Sequence, residues 1–236
     1  MSLEPAPGEG ADLRHVETWL FDLDNTLYPL ESGLSARMTP RITDFVETLT
    51  GLPRAEALAL QKRYLAEYGL TLGGLMTHHS VDPEVFHAVF HDVPLDCIGP
   101  DPALLTALRR LPGRRLIFTN ADAIHTERVV EALGLAGLFE AVFDIGSAEF
   151  APKPSPLAFE RILKAHDIDP AATAFFEDAE RNLEPAAAIG MTTVLVGAHA
   201  EASKAPFVHY RTATLAPFLT KAWVKQRRIN QGEPAR

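Results

Sequence analysis

VETWLFDLDNTLYP, residues 16–29, is the stretch whose reading decides the fold. From Val16 to Leu23 it is a short apolar run rich in β-branched and aromatic side chains, which reads as a buried strand. The run ends on two acids, Asp22 and Asp24, with a turn-forming Asn25 and Pro29 beyond them. Residues two apart on a strand point to one side, so both carboxylates would face one crevice. Carboxylates that close repel, and one of them should gain proton affinity unless a cation intervenes. Acid–base chemistry uses such a divergent pair. By itself, however, D-x-D fits a solvated turn equally well.

The rest of the chain supplies the frame. RLIFTN (115–120), AVFDIG (141–146), TAFFED (173–178) and TTVLVG (192–197) are further short apolar runs. Strands without polar alternation suit a parallel sheet covered on both faces. Helical segments separate them. DPALLTALRRL (101–111) opens on Asp101 as N-cap with Pro102 behind it, and Leu104, Leu105, Leu108 and Leu111 share a face. HTERVVEALG (125–134) would bury Val129, Val130 and Leu133 and stop at Gly134. SPLAFERILKAH (155–166) opens on Ser155 and Pro156. Strand alternating with helix predicts an α/β fold with a doubly wound parallel sheet.

One interval breaks this rhythm. Far more chain separates Asp24 from Arg115 than one crossover helix needs, and it carries at least three amphipathic segments. Ile42, Phe45, Val46 and Leu49 share one face; Leu58 and Leu65 share another, with Tyr64 and Tyr68 beside it. DPEVFHAVFHDV (82–93) opens on Asp82 and Pro83 and would turn Val85, Phe86, Val89 and Phe90 inward. These predict a small helical cap over residues 31–98, inserted after strand one, above the strand ends where ligands bind in open α/β sheets. The core would then comprise 15–30 and 99–220, with a mobile leader at 1–14 and a mobile tail at 221–236.

Composition narrows the function classes. The chain has 236 residues, 47% hydrophobic and 22% charged, with a net charge of −9. Such an acidic chain is ill suited to polymeric nucleic acid or anionic membranes, and an anionic substrate would need local cations. No apolar run approaches the ~20 residues that span a bilayer, and the polar N-terminus lacks the apolar segment of a signal peptide. Cys97 stands alone, so no internal disulfide forms. That fits a reducing cytoplasmic setting.

The later strand ends also carry chemistry-bearing residues. Thr119 and Asn120 close the second strand with a hydroxyl and an amide, suited to an oxyanion or to capping the next helix. Lys153 lies between prolines in APKPSP (151–156), where an ammonium can neutralise a phosphoryl group. Glu177 and Asp178 end another strand, offering oxygens to a hard cation. In a parallel sheet all these ends converge on one crevice.

Taken together, DLDNT (22–26), FTN (118–120), APKP (151–154) and FFEDAERN (175–182) resemble the ordered motifs of the haloacid dehalogenase (HAD) superfamily, over about residues 16–200. The resemblance implies a Rossmann-type core and a Mg²⁺-dependent phosphatase. Asp22 would be the nucleophile and form an aspartyl-phosphate, and Asp24 the acid/base. Thr119 and Lys153 would hold the phosphoryl oxygens; Asp178 would bind Mg²⁺ with Asp22 and the backbone carbonyl of Asp24. Two positions depart from the pattern. Asn182 stands where many relatives carry a second acid, and Glu177 where many carry Gly.

A narrower resemblance, to the pyrimidine 5′-nucleotidases, rests on FDLDNTLYPLESGL (21–34), KRYLAEYGLTLGGLM (62–76) and HHSVDPEVFH (78–87). It implies a cap closing over a nucleoside monophosphate. Gly69, Gly73 and Gly74 would break a plain helix and let backbone approach the ligand, and Asn120 at its strand end would also bind substrate. Tyr64 or Tyr68 would stack on the base or pack within the cap. His78 and His79 read as a polar turn, and His87 and His91 as a solvated helix face. Competing expectations are a phosphatase for phosphoglycolate or a sugar phosphate, a mutase, a haloacid dehalogenase and a non-catalytic binding protein. Asp24 and Asp178 argue against the dehalogenase.

Overall fold

The computed structural model describes residues 10–225. Six strands form one wholly parallel sheet: β1 (Thr18–Phe21), β2 (Arg114–Phe118), β3 (Ala141–Phe143), β4 (Thr173–Glu177), β5 (Thr192–Val196) and β6 (Tyr210–Thr212), in the order β3-β2-β1-β4-β5-β6. The expected strands are all present, and the doubly wound α/β class holds. β6 was not anticipated. It has three residues, YRT, none of them buried, so it has no hydrophobic signature and is specified by pairing with β5.

Alternate residues of the central strands feed two apolar layers. Trp19 and Phe21 join Ile117, Phe176 and Val194 on one face; Leu20 joins Leu116, Phe118, Phe175 and Leu195 on the other. That is why these strands read as continuous apolar runs. Phe21 stacks on Phe176 at 4.8 Å between ring centroids. Helices α5 (Pro102–Arg110), α6 (Ala123–Ala132), α7 (Pro156–His166), α8 (Glu180–Ala188) and α9 (Leu215–Lys221) cover the sheet. Asp101 caps α5 as read from the sequence, accepting from the amides of Ala103 and Leu104 at 2.8 and 3.1 Å. α6 starts earlier than expected, because Asp122 accepts from the amide of His125 at 2.7 Å and caps it.

The leader and tail expectations need correction where they reach the described residues. Leu13 is fully buried, its amide donates to the Trp223 carbonyl, and the Trp223 amide donates to Ala11, both at 2.8 Å. The two chain ends therefore fasten each other against the core. The rest of both expectations, residues 1–9 and 226–236, lies outside the described residues.

Between β1 and β2 lie α1 (Leu34–Thr50), α2 (Arg54–Tyr68), α3 (Thr71–His79) and α4 (Pro83–His87), the last continued by a 3-10 turn over Ala88–Phe90. They share a separate small core of Val46, Ala57, Leu60, Tyr64, Leu72, Leu75 and Phe86. Three side-chain expectations fail there. The buried face of α2 is Ala57, Leu60, Gln61 and Tyr64 rather than Leu58 and Leu65. Leu49, next to the end of α1, and Val85 of α4 are exposed. Gly73 and Gly74 lie inside α3 and do not break it. A Cβ at Gly74 would stand 2.2 Å from Cγ of Tyr64, so this glycine serves close helix–helix approach rather than ligand approach. Arg181 of α8 fastens the unit to the core, donating to the carbonyls of Leu65 and Gly69 at 3.1 and 3.2 Å.

Candidate active site

Asp22 follows directly on β1, and its backbone amide continues the ladder to the Phe176 carbonyl at 2.9 Å. Its carboxylate is nearly buried. Lys153 Nζ donates to Asp22 Oδ1 at 2.7 Å, to Glu177 Oε2 at 2.8 Å and to the Phe118 carbonyl at 2.7 Å. Lys153 is 1% exposed, with its ammonium 5.0 and 5.3 Å from the ring centres of Phe118 and Phe175. All three ammonium donors are thus satisfied in an otherwise apolar sleeve, the condition for burying a charge. Thr26 Oγ1 donates to Asp22 Oδ2 at 3.0 Å.

Asn120 sets this lysine. Its Oδ1 accepts from the Lys153 amide at 2.8 Å and its Nδ2 donates to the Lys153 carbonyl at 3.1 Å. Each end of the amide therefore has a partner in the loop, so Asn120 positions Lys153 from the wall of the same cavity. Gly69, at φ +81°, also approaches that loop: a Cβ there would stand 2.9 Å from the Lys153 carbonyl oxygen. Thr119 is buried beside it and accepts from the Ala121 amide at 3.0 Å.

Asp24 has partners that the sequence reading missed. Its Oδ1 receives the Tyr28 hydroxyl at 2.5 Å and the His125 Nε2 at 2.9 Å. His125 comes from the first turn of α6, whose capping by Asp122 aims that turn at the strand ends. A signal was available, since His125 and Val129 are four apart and share the buried face. His87 and His91 were expected on a solvated face. Instead His87 is 8% exposed, and both rings meet Asp122 Oδ2, at 3.5 Å from His87 Nδ1 and 2.8 Å from His91 Nε2. The 3-10 turn that follows α4 brings them against α6, a contact that no local periodicity encodes.

The electrostatics divide the acids into two groups. Burial, with the charge of Glu177 next, pushes Asp22 up to about 7. Burial likewise raises Glu177 to about 7 and, reinforced by Asp22, raises Asp178 to about 6. Asp24 goes the other way: burial raises it, but the charge and hydrogen bond of His125, with Tyr28, outweigh that and lower it. Burial disfavours the charged form of His125, yet Asp24 raises it overall. Lys153 is raised by Asp22 and Glu177 against its own burial.

Carboxylate oxygens of Asp22, Glu177 and Asp178 lie within 4.8 Å of one another. Three hard oxygen donors with raised proton affinity beside one ammonium fit a divalent cation such as Mg²⁺. The Asp24 side chain is held by His125 and Tyr28 and is not part of this cluster. Glu177 is, although its place in the pattern left it undecided.

Asp22, Asp24, Gly69, Thr119, Asn120, Lys153 and Asp178 all line one cavity of about 410 Å³, closed on the cap side by residues including Met38, Ile42, Phe86 and Phe90. Its volume lies in the ~300–1,000 Å³ range of small-molecule sites. A larger cavity of about 490 Å³ opens beside Asp178 and His199, but contains neither Lys153 nor Asp24. Tyr64 and Tyr68 do not line the active cavity. Their hydroxyls meet His79 Nε2 at 3.0 Å and His78 Nε2 at 2.7 Å, and Tyr64 stacks on His78. These tyrosines brace α2 against α3, and the two histidines end α3 instead of forming a polar turn.

Comparison with known proteins agrees with this geometry. Phosphate metabolism protein 8 of Saccharomyces cerevisiae is 31% identical over 195 residues, which are 76% of this chain and 61% of that protein. The chain thus spans less than two thirds of that relative. Among solved structures, an L-2-haloacid dehalogenase from Xanthobacter autotrophicus with chloropropionic acid covalently bound has a TM-score of 0.54 at 17% identity, covering 87% of this chain and 97% of that one. A HAD phosphatase from Thermococcus onnurineus has a TM-score of 0.54 at 20% identity, covering 84% and 94%. At these identities the structures report the fold alone. The family model for haloacid dehalogenase-like hydrolases matches residues 16–190, taking in β1 to β4 with Asp22, Asp24, Thr119, Lys153 and Asp178, and the chain belongs to that family of hydrolases.

Proposed function

We propose that this hydrolase is a Mg²⁺-dependent phosphomonoesterase acting through an aspartyl-phosphate on Asp22, with a nucleoside monophosphate as substrate. The observation that carries the reading is the pairing of two differently tuned acids. Asp22 lies against Lys153 at 2.7 Å, while Asp24, two residues on, is held by His125 and Tyr28. The relationship to Phosphate metabolism protein 8 supports phosphate chemistry.

In this reading an Asp22 oxygen attacks phosphorus and the bond to the leaving alcohol breaks. Asp24 delivers a proton to that oxygen. The pair it forms with His125 stores the proton, since His125 is shifted toward its charged form while Asp24 is shifted toward carboxylate. Water then attacks the phosphoryl group, Asp24 takes its proton, and the bond to Asp22 breaks to free phosphate and the carboxylate. Splitting the displacement in two replaces one hard step by two easier ones. Thr119 holds a phosphoryl oxygen through its hydroxyl, and Lys153, whose donors stay on Asp22, Glu177 and the Phe118 carbonyl, offsets phosphoryl charge through its own. Asp22, Glu177 and Asp178, with the Asp24 carbonyl that the family resemblance implies, would hold Mg²⁺. When bound, that ion supplies positive charge to the phosphoryl oxygens.

The nucleotide reading draws on the cap wall. Phe86 and Phe90, 5.5 Å apart between ring centroids and near-perpendicular, offer the aromatic surface for a base that Tyr64 and Tyr68 do not. The pyrimidine preference rests on the resemblance of the cap sequence. Dehalogenation is the second reading, favoured only by the shared fold of the haloacid dehalogenases. It needs neither an acid at Asp24 nor the Asp178 cluster. A small-metabolite partner and a cytosolic setting accord with the net charge of −9 and the single thiol Cys97. Among the described residues no helix is long and apolar enough to cross a membrane.

The test is phosphate release with Mg²⁺ from UMP, CMP, AMP, phosphoglycolate and sugar phosphates. The expected result is turnover concentrated on pyrimidine monophosphates and lost in Asp22→Asn. Equal turnover of every ester would overturn the nucleotide assignment, and an active Asp22→Asn would overturn the nucleophile.

A further inference from the structure

Among the described residues, three buried side-chain polar atoms have no hydrogen-bond partner: His87 Nε2, His125 Nδ1 and Asn182 Oδ1. All three residues line the active cavity. Orphaned buried polar atoms are costly and mark places where something else completes the bond. Asn182 lies on α8, one turn beyond Asp178, and His125 holds Asp24, so both adjoin the site already described. His87 is different, because it comes from the cap and lines the cavity from that side.

The other polar cap side chains along the cavity already have partners. Ser35 Oγ donates to Asn25 Oδ1 at 2.8 Å, and Thr39 Oγ1 to the Ser35 carbonyl at 3.0 Å. Gln61 Oε1 accepts from Thr43 at 2.6 Å, and Thr71 Oγ1 donates to the Gln61 carbonyl at 3.3 Å. The carboxylate of Asp122 stands 3.5 Å from His87 Nδ1. A carboxylate on one side of an imidazole draws the ring proton to that side. The opposite nitrogen is left as a lone-pair acceptor. Burial lowers the proton affinity of His87 and outweighs the opposing charge of Asp122, which favours the neutral ring. Phe86 and Phe90, with ring centroids 5.7 and 6.5 Å from the imidazole, fix its plane.

We propose that His87 Nε2 accepts a hydrogen bond from a hydroxyl or N–H group on the alcohol portion of the substrate, making His87 the cap residue that selects leaving groups carrying such a donor. The proposal rests on the phosphomonoesterase reading for its substrate class. It adds a requirement which that reading does not contain: phosphate alone is insufficient, and the esterified alcohol must present a donor to the cap. Pure hydrocarbon leaving groups would leave the acceptor unpaired in an apolar wall.

The experiment uses the full chain and matched ligands differing by one donor: UMP, 2′-deoxy-UMP, 3′-deoxy-UMP and N3-methyl-UMP. Affinity is measured by calorimetry with Mg²⁺ on the turnover-silent Asp22→Asn background, and phosphate release is measured separately on the wild-type nucleophile. Removing the donor that His87 reads should weaken binding by about tenfold or more, the scale of an unpaired buried acceptor. Adding His87→Phe should abolish that difference, and His87→Gln, which restores an acceptor, should recover part of it. Indifference to all three changes, a difference that survives His87→Phe, or binding of none of these ligands would overturn the inference. Absence of phosphate release from every monoester would instead overturn the phosphomonoesterase reading, whatever the binding arm returns.

Discussion

Replacing Lys153 by methionine tests the electrostatic core of this site. The substitution keeps the stem volume and removes an ammonium that is 1% exposed and donates to two carboxylates and a carbonyl at 2.7–2.8 Å. Without it, three carboxylates with oxygens within 4.8 Å of one another lose their buried counter-charge. Breaking a buried pair by removing one partner costs ~3–5 kcal/mol. The cost must depend on pH. Asp22 and Glu177 sit at about 7 and Asp178 at about 6 in the intact protein, all above their ordinary values. Carboxylates raised on folding stabilise below their unfolded values and lose that contribution as pH rises through the folded ones. Without Lys153 they rise further, so the variant should lose stability more steeply than wild type between pH 5 and 8. Lys153 itself titrates above this window, because its proton affinity is raised from an already high value. Urea denaturation with chelator at pH 5.5 and 8 reads both quantities. At pH 8 the variant should be destabilised by ~3–5 kcal/mol, less at pH 5.5, and Mg²⁺ should restore part of the loss at pH 8. A deficit below ~1 kcal/mol at pH 8, the size of an exposed pair, or one that grows toward acid, refutes the reasoning.

Two further outcomes follow from single contacts. His125→Ala removes the imidazole 2.9 Å from Asp24 Oδ1 and should lower kcat by ~10²–10⁴ with little change in KM, the scale of lost acid–base assistance; steady-state kinetics that show only a KM effect would assign His125 to binding instead. Gly74→Ala places a methyl 2.2 Å from the Tyr64 ring and should cost ~1–3 kcal/mol through overpacking of α2 on α3, seen as a lowered Tm with the core fold retained by circular dichroism.

Much of this protein was legible in its sequence because the relevant information is local. The apolar runs that make β1, β2, β4 and β5 are short and unbroken, as strands buried on both faces must be, and Asp101-Pro102 specified the start of α5 through its own backbone bonds. The acids and lysine at strand ends could be placed together because parallel topology gathers those ends. Parallel topology itself follows from strand–helix alternation. The sequence therefore determined five of the six strands, the existence of a helical unit between β1 and β2, and the grouping of Asp22, Asp24, Thr119, Lys153 and Asp178.

Only the tertiary structure decided what lies across from each group. β6 has no buried residue to announce it. Gly74 reads as a helix breaker until Tyr64 is seen filling the space a side chain would need. Tyr64 and Tyr68 turn to His79 and His78, while His125 and Tyr28 take hold of Asp24. Asn120 pairs with the backbone of Lys153. The physical reason is common to all of these. Periodicity points to the buried face of a strongly amphipathic element, though it failed for α2, and the partner on that face is set by packing between elements far apart in the chain. Proton affinities depend on that partner, so the opposite shifts of Asp22 and Asp24, two residues apart, appear only once Glu177, Lys153 and His125 are in place.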